Sequence, residues 1–315
     1  MTASNVILSA RQLTVTFGAV QALRGVDLDL HTGETLALVG ESGSGKSTLA
    51  RTLIRCISAS SGSVLYKDSD ITTSSGRALR ALRRRLQIIF QDSSGSLNPR
   101  LTIGTAIAEP LVVHGLAKGR DLQARVAECL TMVGLDASMA ARRPHEFSGG
   151  QRQRICIARA LACGPEVVAA DEVLSALDLS LRSQMLDLFR QLKQRLSLTY
   201  LFISHDLGVV RRISDRVAVM YLGRIVELAS TPELYSHPRH PYTHALLEAV
   251  PVADPIVERS RQYIALPGEP PSPARPPSGC AFHTRCPRAV DRCRIEIPRL
   301  TEIAPGHAVA CHRPY

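Results

Sequence analysis

The run Gly40-Glu41-Ser42-Gly43-Ser44-Gly45-Lys46-Ser47-Thr48 has the residue types and spacing of a phosphate cradle. Its glycines let backbone N–H groups turn inward around anionic oxygens. Lys46 adds a point charge for β- and γ-phosphates, and Ser47 offers a hydroxyl to Mg²⁺. A helix starting at Lys46 aims its positive N-terminus at the same anion. The plain alternative is a glycine-rich turn without a ligand, but the apolar stretch before it and the helical pattern after it supply the required context. Further on, Val167 to Ala170 reads as a buried strand ending in two carboxylates, Asp171 and Glu172. One could hold Mg²⁺ through water while the other orients an attacking water. Ser148-Gly149-Gly150-Gln151 opens a helix and is either a second backbone anion nest or an ordinary N-cap by Ser148. His205 follows the apolar run Tyr200 to Ile203, where a strand end would present it beside the phosphates.

These groups need a frame. Residues 6–15, 34–39, 86–90, 167–170, 200–203 and 216–221 read as strands. Residues 46–57, 101–143, 151–163 and 180–196 carry helical spacing, the last with Ser180 as its expected N-cap. Strands alternating with helices indicate an α/β fold with a largely parallel sheet. Composition shifts after about Ser230. Pro267, Pro270, Pro271, Pro273, Pro276 and Pro277 then mark an extended linker over 267–277, expected to separate the α/β body from a cysteine-bearing tail.

Composition narrows the function classes. The chain has 315 residues, 45% of them hydrophobic and 21% charged, which excludes wholesale disorder and suffices for one large or two modest domains. No 18-residue apolar run exists to span a membrane. Met1 to Arg11 lacks the pattern of a signal peptide, so secretion is not expected. With 38 Lys+Arg against 28 Asp+Glu, the net charge is +10, which suggests anionic partners or merely an arginine-rich composition. Arg77, Arg80 and Arg84 share a helical face, beside Arg83 and Arg85, and are expected to be solvated. Aromatic residues are 4% and Trp is absent, which argues against stacking on single-stranded nucleic acid. Cys56, Cys129, Cys156 and Cys163 sit among apolar neighbours and read as buried, inert thiols. Cys280, Cys286, Cys293 and Cys311 crowd the end of the chain. Their spacing fits neither paired zinc ligands nor ferredoxin patterns.

Taken in order, these motifs resemble the ATP-binding subunits of ABC transporters. The phosphate loop is followed by a Q-loop at Gln91, a signature at Ser148 to Gln151, a strand ending in Asp171 and Glu172, a D-loop at Ser175 to Asp178, and an H-loop at His205. Phe17 stands where the family has an aromatic that stacks on adenine. More narrowly, Gln91 to Arg100, His240-Pro241-Tyr242 and the tail from Gly279 to Arg288 resemble the oligopeptide/dipeptide/nickel importer subfamily, and in detail its second ATPase subunit. Val173-Leu174 stand where that family usually has Pro-Thr, so the loop before the D-loop is expected to be slightly reshaped.

The resemblance implies a P-loop NTPase of ABC type over residues 1–230. It would have a RecA-like core, an antiparallel β subdomain and a helical signature subdomain at about 92–162. A C-terminal extension over 231–315 would carry the cysteine tail, 280–311. It implies that Gly40 to Thr48 bind ATP with Phe17, Gln91 and His205, that Ser47, Gln91 and Asp171 hold Mg²⁺, and that Glu172 is the general base. Ser148, Gly149, Gly150 and Gln151 would contact ATP on an opposite subunit, with Asp178 in the D-loop. It also implies a second ATPase subunit in a heterodimer, two membrane permeases and an extracytoplasmic substrate-binding protein, with no nucleic acid. The chain would act at the cytoplasmic face of the inner membrane, driving uptake of di- or oligopeptides, or alternatively nickel or a metallophore; a nucleic-acid or ribosome ATPase is a remote alternative. In the subfamily the tail can hold a 4Fe–4S cluster. For Cys280, Cys286, Cys293 and Cys311 that stands beside zinc and unligated thiols.

Overall fold

The computed structural model describes residues 6–175, 177–250 and 268–315. The chain opens with two long strands, β1 (Val6–Phe17) and β2 (Val20–His31), paired antiparallel about a turn at Gly18. β3 (Thr35–Val39), buried at every residue, leads into α1 (Lys46–Leu53). Strands β4 (Ser61–Tyr66) and β5 (Ser69–Asp70), helix α2 (Gly76–Arg85) and strand β6 (Leu86–Ile89) follow. Three helices come next: α3 (Ile103–Val113), α4 (Gly119–Met132) and α5 (Gly149–Leu161). The chain then alternates through β7 (Val167–Asp171), α6 (Leu179–Leu196), β8 (Thr199–Ile203), α7 (Leu207–Ile213) and β9 (Arg216–Tyr221). It finishes with β10 (Arg224–Ser230), α8 (Thr231–Ser236), α9 (Pro241–Glu248), α10 (Asp291–Ile295), β11 (Thr301–Ala304) and β12 (His307–Val309).

Two sheets organise these elements. One is antiparallel, in the order β2-β1-β4-β5. The other has eight strands in the order β11-β12-β10-β9-β3-β8-β7-β6, and its run from β9 to β6 is parallel. Five of the six segments read as strands are these parallel ones, while residues 6–15 fall in β1 of the antiparallel sheet. A strand covered on both faces needs no alternation of polar residues. One core lies between the two sheets and takes Leu49 and Leu53 of α1. A second joins α3, α4, α5 and α6 through residues such as Ile107, Leu130, Ile155 and Phe189. Val173 and Leu174 are buried in that second core.

Several expectations are corrected. α1 stops at Leu53, not at residue 57: Arg55 turns left-handed at φ 61, and the Cys56 and Ile57 amides fold back onto the Arg51 carbonyl at 2.8 and 3.1 Å. The helical stretch over 101–143 divides into α3 and α4 with 3₁₀ turns after them. Asp178, not Ser180, caps α6, its carboxylate accepting the Leu181 N–H at 2.9 Å. Cys56 is exposed, while Cys129, Cys156 and Cys163 are buried as expected. α2 buries no residue, in keeping with a solvated arginine face.

The tail is linked through the proline-rich segment but does not stand apart from the body. β12 pairs with β10, Glu227 opposite Val309 and Leu228 opposite Ala308, so the tail extends the main sheet. Pro267 and the residues before it to 251 lie outside the described residues. Phe282 packs edge-on against Tyr221 at 5.3 Å and tilted against Tyr242 at 5.4 Å, forming a third core with β9 and α9. Removing a ring as buried as Phe282 would cost about 3–5 kcal/mol.

Candidate active site

The phosphate loop runs from the buried end of β3 into α1. Gly40 takes φ 143, and a Cβ there would strike the Met220 carbonyl of β9. Gly45 takes φ 104 and is the cap of α1; a Cβ there would stand 2.6 Å from the Ala22 carbonyl. These two positions therefore require glycine. No side chain caps the first turn of α1, so its amide donors are left for a ligand. The loop lines a cavity of about 450 Å³ together with Val20 to Ala22 on one side and Gln91 and Glu172 on the other.

Lys46 is 5% exposed, and its ammonium donates to the Gly40 and Glu41 carbonyls at 2.8 and 2.9 Å. Burial pulls it below its ordinary pKa, opposed by the charges of Glu172, Asp171 and Glu41. A buried cation held only by neutral oxygens is poised for an anion. At the far side, β7 delivers Asp171 against α1. The Ser47 hydroxyl donates to one carboxylate oxygen at 2.7 Å, and Arg51 pairs with the other at 3.0 Å. Hydroxyl and carboxylate thus stand side by side, a hard-oxygen donor set that fits Mg²⁺.

Glu172 is left-handed, at φ 49, a conformation that costs a non-glycine residue energy and recurs at functional sites. It turns the side chain away from Asp171 toward other strand ends. Gln91, just beyond β6, donates its amide to the Glu172 carboxylate at 3.0 Å, and His205, just beyond β8, stands 3.5 Å from the same oxygen. The parallel sheet accounts for this: β6, β7, β8 and β3 all end on one edge, so Gln91, Glu172, His205 and Gly40 meet although the sequence scatters them.

Other expected residues lie elsewhere. Phe17 is 51% exposed at the end of β1; the turn that follows it carries Val20 to the cavity, but Phe17 does not line that cavity. Ser148 lines none of it either and caps its own helix instead. The Gln151 N–H donates to its hydroxyl at 3.3 Å, while the Gln151 side chain accepts the Ser148 N–H at 3.0 Å. Gly149 is exposed and Gly150 packs under Leu181. Of the D-loop, Asp178 is exposed, and Ala176 lies outside the described residues. Arg51 was missed by sequence reasoning although it lies one helical turn beyond Ser47.

All eight cysteines are free. Burial, and then its neighbours Cys293, Cys311 and Cys286, push the Cys280 thiol up to about 11, and burial also raises Cys286 and Cys311. The four thiols are thus neighbours. Among the described residues, however, no three Cys, His, Asp or Glu side chains are arranged to hold a metal ion. As they stand, the thiols do not form a cluster site.

A wrapped anion site beside a hydroxyl–carboxylate pair answers one kind of ligand, a nucleoside triphosphate with its divalent ion, and so defines a P-loop phosphohydrolase. The ABC transporter family profile matches residues 23–175, and that of the oligopeptide/dipeptide transporter C-terminal region matches residues 226–293. The oligopeptide transport ATP-binding protein AppF of Bacillus subtilis is 53% identical over 296 residues, 94% of this chain and 90% of that protein. In Sinorhizobium fredii, y4tS, a probable peptide ABC transporter ATP-binding protein by name, is 53% identical over 293 residues, 93% of this chain and 82% of its own. Among solved structures, the dimeric ATP-binding cassette MJ0796 bound to ADP and Pi superposes with a TM-score of 0.65 at 28% identity, covering 71% of this chain and 99% of that one. The chain belongs to the ATP-binding subunits of ABC transporters, and it carries the oligopeptide/dipeptide transporter C-terminal region.

Proposed function

We propose that this chain hydrolyses ATP to drive uptake of di- or oligopeptides, as one of two ATPase subunits in a heterodimer. The observation that carries the reading is the meeting of Gln91 and His205 on the carboxylate of Glu172, which together with Gln91 lines the phosphate cavity. ATP lies along the loop, its adenine toward Phe17 and its phosphates on the amides of Gly40 to Thr48. Lys46 leaves the Gly40 and Glu41 carbonyls for the β- and γ-phosphates. Ser47, Gln91 and Asp171 would hold Mg²⁺, which would polarise the phosphoryl oxygens and offset their charge. Glu172 accepts the proton of a water as that water's oxygen bonds to the γ-phosphorus and the bridge to ADP breaks. His205 steadies the γ-phosphate and that water.

The turn at Ser148 to Gln151, exposed at Ser148 and Gly149, completes the site of the facing subunit, with Asp178 at the contact. A groove of about 750 Å³ on the helical region, with Leu101, Ala108, Val112 and Leu122 on its walls, gives a permease segment an apolar seat. Among the described residues no helix is long and apolar enough to cross a membrane. The names of the relatives support a chain seated on two permeases at the cytoplasmic face of the inner membrane, fed by a substrate-binding protein. Peptide cargo is supported by the names of the relatives and by the C-terminal region. Nickel is the second reading within the same subfamily. For the tail we propose a 4Fe–4S cluster on Cys280, Cys286, Cys293 and Cys311, supported by their mutual proximity. It requires the thiols to close up, and a chain purified without air that carries neither iron nor acid-labile sulfide refutes it.

The test of function is purification of the native complex and measurement of its ATPase rate with the binding protein present. Stimulation by oligopeptides and not by nickel supports the proposal. Nickel-only stimulation, or co-purification with nucleic acid in place of permeases, overturns it.

A further inference from the structure

Glu41, inside the phosphate loop, is held from three directions. Its backbone N–H donates to the Tyr242 hydroxyl at 2.8 Å, and its carbonyl accepts from Lys46 at 2.9 Å. Its two carboxylate oxygens take the two guanidinium nitrogens of Arg285 at 2.8 and 3.1 Å. Tyr242 belongs to α9 and is fully buried; Arg285 belongs to the cysteine tail and its side chain is 6% exposed. Neither touches the cavity where the nucleotide would lie. Both are fixed by the aromatic core of Tyr221, Tyr242 and Phe282, whose ring centroids are 4.8 to 5.4 Å apart. Burial works against the Arg285 charge, but the paired carboxylate of Glu41 outweighs it and holds its pKa above the ordinary value.

An acidic side chain in a loop that binds a polyanion is a liability, since like charges repel. A two-pronged arginine removes it by neutralising the carboxylate and fixing its direction. We infer that Arg285 and Tyr242 are positioning residues for ATP: the C-terminal extension clamps Glu41 and so holds the phosphate loop in its binding shape. The inference rests on the nucleotide reading of the cavity and adds to it a dependence on residues far along the chain. It also gives the extension a role in the nucleotide cycle.

The test is a double-mutant cycle in the full-length chain, reading ATP binding by titration and KM and kcat on the assembled complex. Arg285→Ala is expected to weaken ATP about tenfold with kcat changed less than about twofold, the mark of lost ground-state binding. Arg285→Lys, which keeps the charge and loses the fork, and Tyr242→Phe, which keeps the ring and loses the acceptor, are each expected to cost about threefold. In a Glu41→Gln background, removing Arg285 is expected to cost less than about twofold, because the charge it neutralises is gone. Equal losses in both backgrounds would mean that Arg285 merely anchors the extension, and the clamp is overturned. So it is if all three variants bind ATP as the wild type does. A wild-type chain that binds no ATP overturns the nucleotide reading itself.

Discussion

The phosphate loop and the signature turn are both glycine-bearing turns at helix N-termini, yet they spend their hydrogen-bonding groups differently. Around the loop, five stretches of chain converge: Gly40 to Thr48, Gln91, Asp171 with Glu172, His205, and the extension through Tyr242 and Arg285. Around Ser148 the hydrogen bonds are local, closing the capping box with Gln151. The first region is assembled by the fold; the second is presented by it. A surface turn whose hydrogen bonds close within its own first helical turn is compatible with the shared site proposed above.

The largest effect should separate binding from chemistry on the loop side. Glu172→Gln keeps the hydrogen-bonding shape and removes the base. It is expected to lower turnover about 10²–10⁴-fold while ATP still binds. Lys46→Ala should abolish binding itself, because it takes away the buried cation. Single-turnover rates with titrated ATP distinguish the two variants, and unimpaired hydrolysis by the Glu172 variant removes the general-base assignment. On the signature side, Ser148→Ala should act only across the interface. ATP binding by the separate chain should shift less than about twofold, while turnover of the assembled pair falls about tenfold or more. The lost cap should cost about 1 kcal/mol of helix stability, readable as a lower melting point. Should Ser148→Ala weaken ATP on the separate chain as strongly as on the pair, the contrast between the regions is wrong.

What could be read from residues alone follows the same division. The loop, β7 and the helix after Gly149 are contiguous runs whose spacing carries their meaning, and the structure has elements there, α5 starting two residues earlier than its spacing suggested. Long-range pairings had no such signal. Arg285 and Glu41 are 244 positions apart, and nothing in the tail's spacing points to the phosphate loop. β12 is three residues long, too short for periodicity to reveal that it joins the main sheet. At the start of α6, Asp178 and Ser180 are both capping types, and only the backbone path decides between them.

The smallest expected effect is a pH dependence confined to the loop side. His240 caps α9, its Nδ1 accepting the Tyr242 backbone N–H at 3.0 Å, and its backbone N–H donates to the buried Glu227 carboxylate at 2.9 Å. Burial lowers its pKa from the ordinary 6.5 to about 3, so it is neutral in the fold. The unfolded chain binds a proton there below about pH 6.5 and the folded chain does not. Stability from this residue is therefore present in full above pH 6.5 and is lost as pH falls toward 3, with a slope of at most about 1.4 kcal/mol per unit. Because His240 orients the turn that carries Tyr242 to Glu41, the loss should appear first as faster amide exchange in α9 and the phosphate loop. The turn at Ser148, capped by uncharged groups, should hold its exchange rates over the same range. Exchange measured at pH 7 and pH 5 checks this, and His240→Asn, which keeps an acceptor and cannot titrate, should flatten the slope. An equal acid response at both turns would show that the extension does not govern the loop.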